Sequence, residues 1–126
     1  MIACLWLKKA REDLLVAENE LDKVVWASVF HSQQAAEKAL KALLIALGVK
    51  PPRTHEIEHL LYLLQKEGLN TDEISEAGRL TDYAVEARYP DFEEEPNEEE
   101  AKEALSLARK TVEWAKEKLK ELGIEC

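Results

Sequence analysis

Two of the three histidines stand in the string His55-Glu56-Ile57-Glu58-His59. This spells H-E-x-x-H. On a helix, positions i and i+4 share a face, so two imidazoles could hold a zinc ion while Glu56 acted as general base on a zinc-bound water. The surroundings favour ordinary surface or capping histidines. Catalytic zinc takes three protein ligands, no histidine follows His59, and Glu76 or Glu86 would have to serve. Ile57, Leu60 and Leu61 already define a buried face for this segment. A zinc hydrolase on His55, Glu56 and His59 is therefore the third functional reading, and no bound metal or cofactor is expected.

His31 opens a polar stretch, His31-Ser32-Gln33-Gln34, inside an otherwise apolar helical pattern. No Asp or Glu stands three or four residues from it, so an acid–base pair on its own helix is absent. Such residues face solvent or line a groove between helices or subunits. With Lys38 and Lys41 following, Gln33 and the two lysines form a candidate anion-binding groove. A second candidate is Arg88-Tyr89 in the string Ala87-Arg88-Tyr89-Pro90-Asp91. A guanidinium fork grips a phosphate, and an aromatic ring stacks a base. Taken alone, these two residues are better explained as a helix end, with Arg88 on the last carbonyls and Tyr89 packed under the loop.

Something must hold these groups in place, and the chain is one domain's worth of material, 1–126, at 14.4 kDa. Hydrophobic residues are 46% and charged residues 34%, enough for a core in a water-soluble protein. The longest apolar run, Ala42 to Leu47, is far short of a membrane span. The N-terminal lysines follow the apolar run rather than precede it, the wrong polarity for a signal peptide, so a cytoplasmic location is expected. The formal net charge is −9, unlike a generic nucleic-acid coat. The charge is uneven: residues 1–53 hold eight basic and six acidic side chains, residues 54–126 nine and twenty. A polyanion would have to be met by a local patch, for which Lys38, Lys41, Lys50 and Arg53 are the candidates. Cys4 and Cys126 are too few for a Cys-rich zinc site and are expected to be reduced thiols. Abundant Glu and Lys with scarce Gly and Pro fit a thermophilic source, where intracellular disulfides also occur.

Every segment has helical periodicity, and none alternates as a strand would. The first helix is expected from Ile2 to Leu21, with Ile2, Trp6, Ala10, Leu14, Ala17 and Leu21 as its apolar stripe. The second runs from Lys23 to Leu47 and ends at Gly48, with Pro51 and Pro52 beyond. Thr54 is the expected cap of a third that ends at Gly68. A fourth is expected from Thr71 to just before Pro90, and a fifth from an Asn97 cap with Glu100 as its capping-box partner, ending at Gly123. The fold class is all-α, an up-and-down antiparallel bundle of four to five helices. Trp6, Trp26, Val29, Phe30 and Trp114 supply more large apolar surface than a small bundle hides, so a homodimer is expected. Seven carboxylates between Asp91 and Glu100 suit a solvated loop and a favourable first helical turn.

The strings AREDLLVAENEL, FHSQQAAEKALKALLIALGV, THEIEHLLYLL and LTDYAVEARYPD, with the long last helix, resemble the HEPN domain (higher eukaryotes and prokaryotes nucleotide-binding) over residues 4 to about 120. The most specific pieces are 33–42 and 87–91. The resemblance implies a dimeric all-α bundle, often encoded with a minimal nucleotidyltransferase as a toxin–antitoxin module. Many such proteins are metal-independent RNases, and others bind nucleotides without cleaving. Their RNase signature is an Arg, four to six residues, then a His, near the start of a late helix. Arg88 stands in that region, but no His lies between Tyr89 and Asn97. Arg53 and His59 have the letter spacing but precede the third helix. The sequence thus favours a nucleotide- or RNA-binding subunit that does not cleave, its ligand held by Arg88, Tyr89, Lys38, Lys41 and Gln33. The alternative is a metal-independent endoribonuclease using His55 or His59.

Overall fold

The computed structural model describes residues 1–88 and 95–126, with the side chains of 86–88 left out. Its elements are α1 (Ile2–Glu20), α2 (Val25–Ala46), α3 (Ile57–Lys66), a 3-10 segment (Asp72–Gly78), α4 (Arg79–Arg88) and α5 (Glu98–Glu121). The expected up-and-down all-α bundle is what forms, with five α-helices and no strand among the described residues. None of the described helices is long and apolar enough to cross a membrane.

The bundle is organised around α2. A tight turn reverses α1 into α2, with Val24 N–H donating to Glu20 O at 2.9 Å. The Ser28 hydroxyl then donates across the hairpin to Ala17 O at 2.7 Å. α2 packs on α1, α3, α4 and α5. Close approach is possible because alanines occupy the contacts: Ala35, Ala36, Ala39 and Ala42 on α2, Ala3, Ala10 and Ala17 on α1, and Ala101, Ala104, Ala108 and Ala115 on α5 are fully buried. Leu40, Leu43, Leu44, Leu60, Leu64, Leu80 and Leu119 fill the space between them. α5 runs antiparallel to α1, since Arg109 reaches Glu18 at 2.7 Å near one end and Cys126 meets Cys4 at the other.

The start of α5 is as expected, and the starts of α3 and α4 differ in informative ways. Asn97 caps α5 with the full reciprocal box: Glu100 N–H donates to Asn97 Oδ1 at 2.8 Å, and Asn97 N–H to Glu100 Oε1 at 3.2 Å. Thr54 does not cap α3. Its hydroxyl accepts from Glu56 N–H at 3.2 Å in a local turn, and the helix begins only at Ile57. The hydroxyl that accepts from Ile57 N–H, at 3.0 Å, belongs to Thr81 of α4. The expected fourth helix is broken as well. Ile74 has φ −120°, so Asp72–Gly78 is a kinked 3-10 segment and α4 proper starts at Arg79. Gly78 leaves room for Glu58, whose Oε1 would lie 1.8 Å from a Cβ placed there.

The thiol expectation is corrected. Cys4 and Cys126 form a disulfide with Cα atoms 5.2 Å apart. The Gly123 turn, at φ +84°, lets Ile124 N–H return to Leu119 O at 2.9 Å and folds the C-terminal residues back over the start of α1. Of the expected surplus apolar groups, Val29 and Trp114 are buried within the chain itself, while Trp26 is 48% exposed. Reducing the disulfide, or replacing Cys4→Ser, is expected to lower stability by about 2–5 kcal/mol, because the bond closes nearly the whole chain into one loop. Urea unfolding with and without reductant measures this, and coincident curves would show that the bond does not form. In the same assay Asn97→Ala should cost about 1 kcal/mol.

Candidate functional site

α2 carries an unusual interior stripe. Gln33, Glu37 and Lys41, spaced by four, are all buried. Glu37 Oε2 accepts from Lys41 Nζ at 3.0 Å. Glu37 Oε1 accepts from Gln33 Nε2 at 3.1 Å and is 3.0 Å from His55 Nδ1. Gln33 Nε2 also donates to His55 O at 2.8 Å, and Gln33 Oε1 accepts from Gln34 Nε2 at 3.0 Å. A buried carboxylate paired with a lysine accepts hydrogen bonds only. Nδ1 of His55 must therefore carry a proton, and in the neutral ring Nε2 is then the nitrogen with the free lone pair. The His55 side chain is 73% exposed. The result is an imidazole gripped at one nitrogen from inside the bundle and open to a reactant at the other, the arrangement a general base needs.

A second imidazole is held the same way between α1 and α2. His31 Nδ1 lies 2.8 Å from Asp13 Oδ1, and Lys38 Nζ donates to Asp13 Oδ2 at 2.7 Å. Asp13 is buried, and Phe30 meets the His31 ring edge-on with centroids 5.3 Å apart. The acid that His31 lacks on its own helix thus comes from the neighbouring one.

The sequence candidates separate into distinct places. Gln33 and Lys41 are inside the bundle and bonded to Glu37, whereas the Lys38 side chain is 29% exposed. Arg88 ends α4, but its side chain and all of Tyr89 lie outside the described residues, as do Glu86's side chain and Asp91–Glu94. His55 precedes α3, so it and the exposed His59 do not share a helical face, and the geometry behind the H-E-x-x-H reading is not met. Among the described residues no three His, Cys, Asp or Glu side chains converge as a metal site requires. Arg79 and Tyr83 of α4 join Glu103 of α5, with Tyr83 O–H donating to Glu103 at 3.2 Å. Burial first, and then the Glu103 charge, raise the Tyr83 phenol above its ordinary value. This cluster fixes α4 against α5 and leaves the histidines untouched.

A bundle built on a central helix, with His31 and His55 each held at Nδ1 by a buried carboxylate, defines a small all-α protein with two anchored imidazoles. The chain matches the family model described as HEPN domain over residues 3–119, and it belongs to that family. It is 34% identical to "Putative toxin MJ1304" of Methanocaldococcus jannaschii, over 94% of this chain and 89% of that one. Among solved structures it is similar to TT1696 from Thermus thermophilus, at 35% identity and TM-score 0.83, covering 93% of this chain and 98% of that one. It is also similar to ST0689, described as an archaeal HEPN homologue, at 29% identity and TM-score 0.72, covering 93% and 97%.

The Glu37–Lys41 pair gives a direct energetic test. Lys41→Met leaves a buried carboxylate without its cation and should cost about 3–5 kcal/mol, whereas Lys41→Met with Glu37→Leu should recover much of that loss. Equilibrium denaturation of both variants checks it. A loss below about 1 kcal/mol for the single change, the range of surface ion pairs, would mean the pair is solvated.

Proposed function

We propose that this HEPN-family chain is a toxin-class endoribonuclease that cleaves RNA without a metal ion, with His55 as its catalytic base. The observation that carries the reading is the Glu37–His55 contact at 3.0 Å, which puts the proton of the neutral ring on Nδ1 and leaves Nε2 as the free nitrogen of an exposed side chain. His55 Nε2 takes the proton of a ribose 2′-hydroxyl, and that oxygen attacks the adjacent phosphorus. The bond from phosphorus to the 5′-oxygen breaks, and the imidazolium or water returns a proton to the leaving oxygen. The products are a 2′,3′-cyclic phosphate and a 5′-hydroxyl end. Arg53, exposed two residues before His55, and Lys38 are cations within the same half of the sequence that can meet phosphates. Arg88 and Tyr89 remain candidates for phosphate and base contact. The toxin name of the relative supports this class.

A toxin requires a neutralising partner, and the proposed one is a minimal nucleotidyltransferase protein. The chain itself is proposed to pair as a homodimer, in keeping with Trp26, Leu5 and Ile2, which stay about half or more exposed.

Labelled single-stranded RNA incubated with the protein in EDTA should be cut to cyclic-phosphate ends. His55→Ala should slow cleavage by about 10²–10⁴-fold. Glu37→Gln should slow it less while the protein stays folded by circular dichroism. RNA that binds and is never cut would return the chain to the role of a non-cleaving binding subunit. Equal rates for wild type and His55→Ala would remove His55 from the chemistry.

A further inference from the structure

Exposed apolar side chains are concentrated on α1. The helix turns Ala3, Leu7, Ala10 and Ala17 toward the core, yet Ile2 is 63% exposed, Leu5 62%, Leu15 58% and Val16 38%. Ile2, Leu5, Lys9, Glu12, Val16 and Asn19 are all exposed and follow one another at alternating steps of three and four. That is the spacing of a seam that a second helix covers.

Charge decides which helix. Two chains at −9 each repel one another, so they can meet only where charge is locally balanced. The seam is balanced, because Lys9 and Glu12 are its two charged positions. A polyanion or a polycation finds no net charge there to bind. The order of the two charges matters as well. A second α1 related by a two-fold axis along the helices would set Lys9 on Lys9 and Glu12 on Glu12. A two-fold axis across them, at the level of Ala10 and Arg11, sets the helices antiparallel and places each Lys9 on a Glu12 and each Leu5 on a Val16. Ile2 and Asn19 then face each other at the two rims, where the amide stays in water. The seam is thus complementary to itself in the antiparallel orientation.

We infer that the outer face of α1 is the surface through which two copies of this chain join, antiparallel, with Lys9 of each against Glu12 of the other and Leu5 against Val16. The inference rests on the homodimer reading and adds to it the surface and the register. Within one chain the Lys9–Glu12 pair is exposed, at 3.3 Å, and contributes little. Two such pairs brought together form a four-charge network at the centre of the interface, and it fixes the register while the flanking apolar pairs supply the burial. The groove of Leu5, Trp6, Lys9 and Lys38, about 230 Å³ in volume, opens beside the Leu5 position and offers Val16 of the second copy an apolar recess.

Sedimentation equilibrium of the full chain at micromolar concentration tests this, with circular dichroism checking that each variant keeps the wild-type helix content. Wild type should sediment as a dimer. Leu5→Glu and Val16→Glu, both at exposed positions, should each raise the dimer Kd by about ten- to a hundredfold, since every change is made twice across the two-fold axis. Lys9→Glu and Glu12→Lys should each weaken the homodimer, the first by bringing four carboxylates together and the second four ammonium groups. Mixed in equal amounts, these two variants should pair with each other, because both cross-chain contacts are then Lys on Glu. A loss that came from breaking the pair within one helix could not be rescued by mixing, so failure of the mixture to dimerise overturns the proposal. A wild-type dimer whose Kd is unchanged by Leu5→Glu and by Val16→Glu also overturns it, and leaves the homodimer reading standing on another surface. A wild-type chain that stays monomeric overturns both.

Discussion

Glu37 carries a carboxylate into the interior of the bundle on α2, the helix that α1, α3, α4 and α5 all touch. An ionised carboxyl with no partner there would cost several kcal/mol. The structure surrounds it with three donors from two places in the chain: Lys41 and Gln33 from its own helix and His55 from the segment before α3. The same amide that donates to Glu37 also donates to the His55 carbonyl, so the loop after α2 is pinned by both its backbone and its side chain. The start of α3 follows from this. With His55 drawn toward Glu37, the helix cannot begin at Thr54, and Thr81 of α4 meets its first amide instead. One buried charge thereby sets the course of a loop, the start of a helix and the orientation of an imidazole.

The apolar frame makes this arrangement possible. Alanines on α1, α2 and α5 bring helix axes close enough to exclude water from Gln33, Glu37 and Lys41, while leucines fill the layers between. The frame is not perfectly satisfied. The Ser32 hydroxyl and the Trp114 indole N–H are buried with no hydrogen-bond partner among the described residues. Both lie on packed helices, Ser32 on α2 and Trp114 on α5.

The bundle is legible in the sequence because it rests on local signals: the period of the leucines and alanines, the glycines that end helices, and the Asn97–Glu100 box. The fourth helix is not, because a 3-10 segment shares its capping residues, and the close approach of Glu58 to Gly78 is a tertiary fact. The site is half-visible. His31, Gln33, Lys38, Lys41 and His55 stand out by type, but as groove or surface groups, because a helical pattern shows which residues share a face and not which faces meet. Asp13 and Glu37 do not stand out for the same reason: each is one acid among 26 in the sequence. Their partners are eighteen residues away in both cases, with Asp13 matched to His31 and Glu37 to His55. A Gln, Glu and Lys spaced by four along an otherwise apolar helix is the available sign of a buried polar stripe. The disulfide escapes a sequence reading because it joins the two ends of the chain, which only the folded bundle brings together.

The central claim is that buried Glu37 dictates the protonation pattern of His55. Long-range nitrogen–proton NMR correlation on imidazole-labelled protein, recorded at alkaline pH, reads the tautomer of each histidine directly. The account predicts that His55 carries its proton on Nδ1 with Nε2 unprotonated, and that Glu37→Gln weakens this preference while His59 shows no change. A His55 ring protonated on Nε2 in wild-type protein, or one that averages between tautomers, would contradict it.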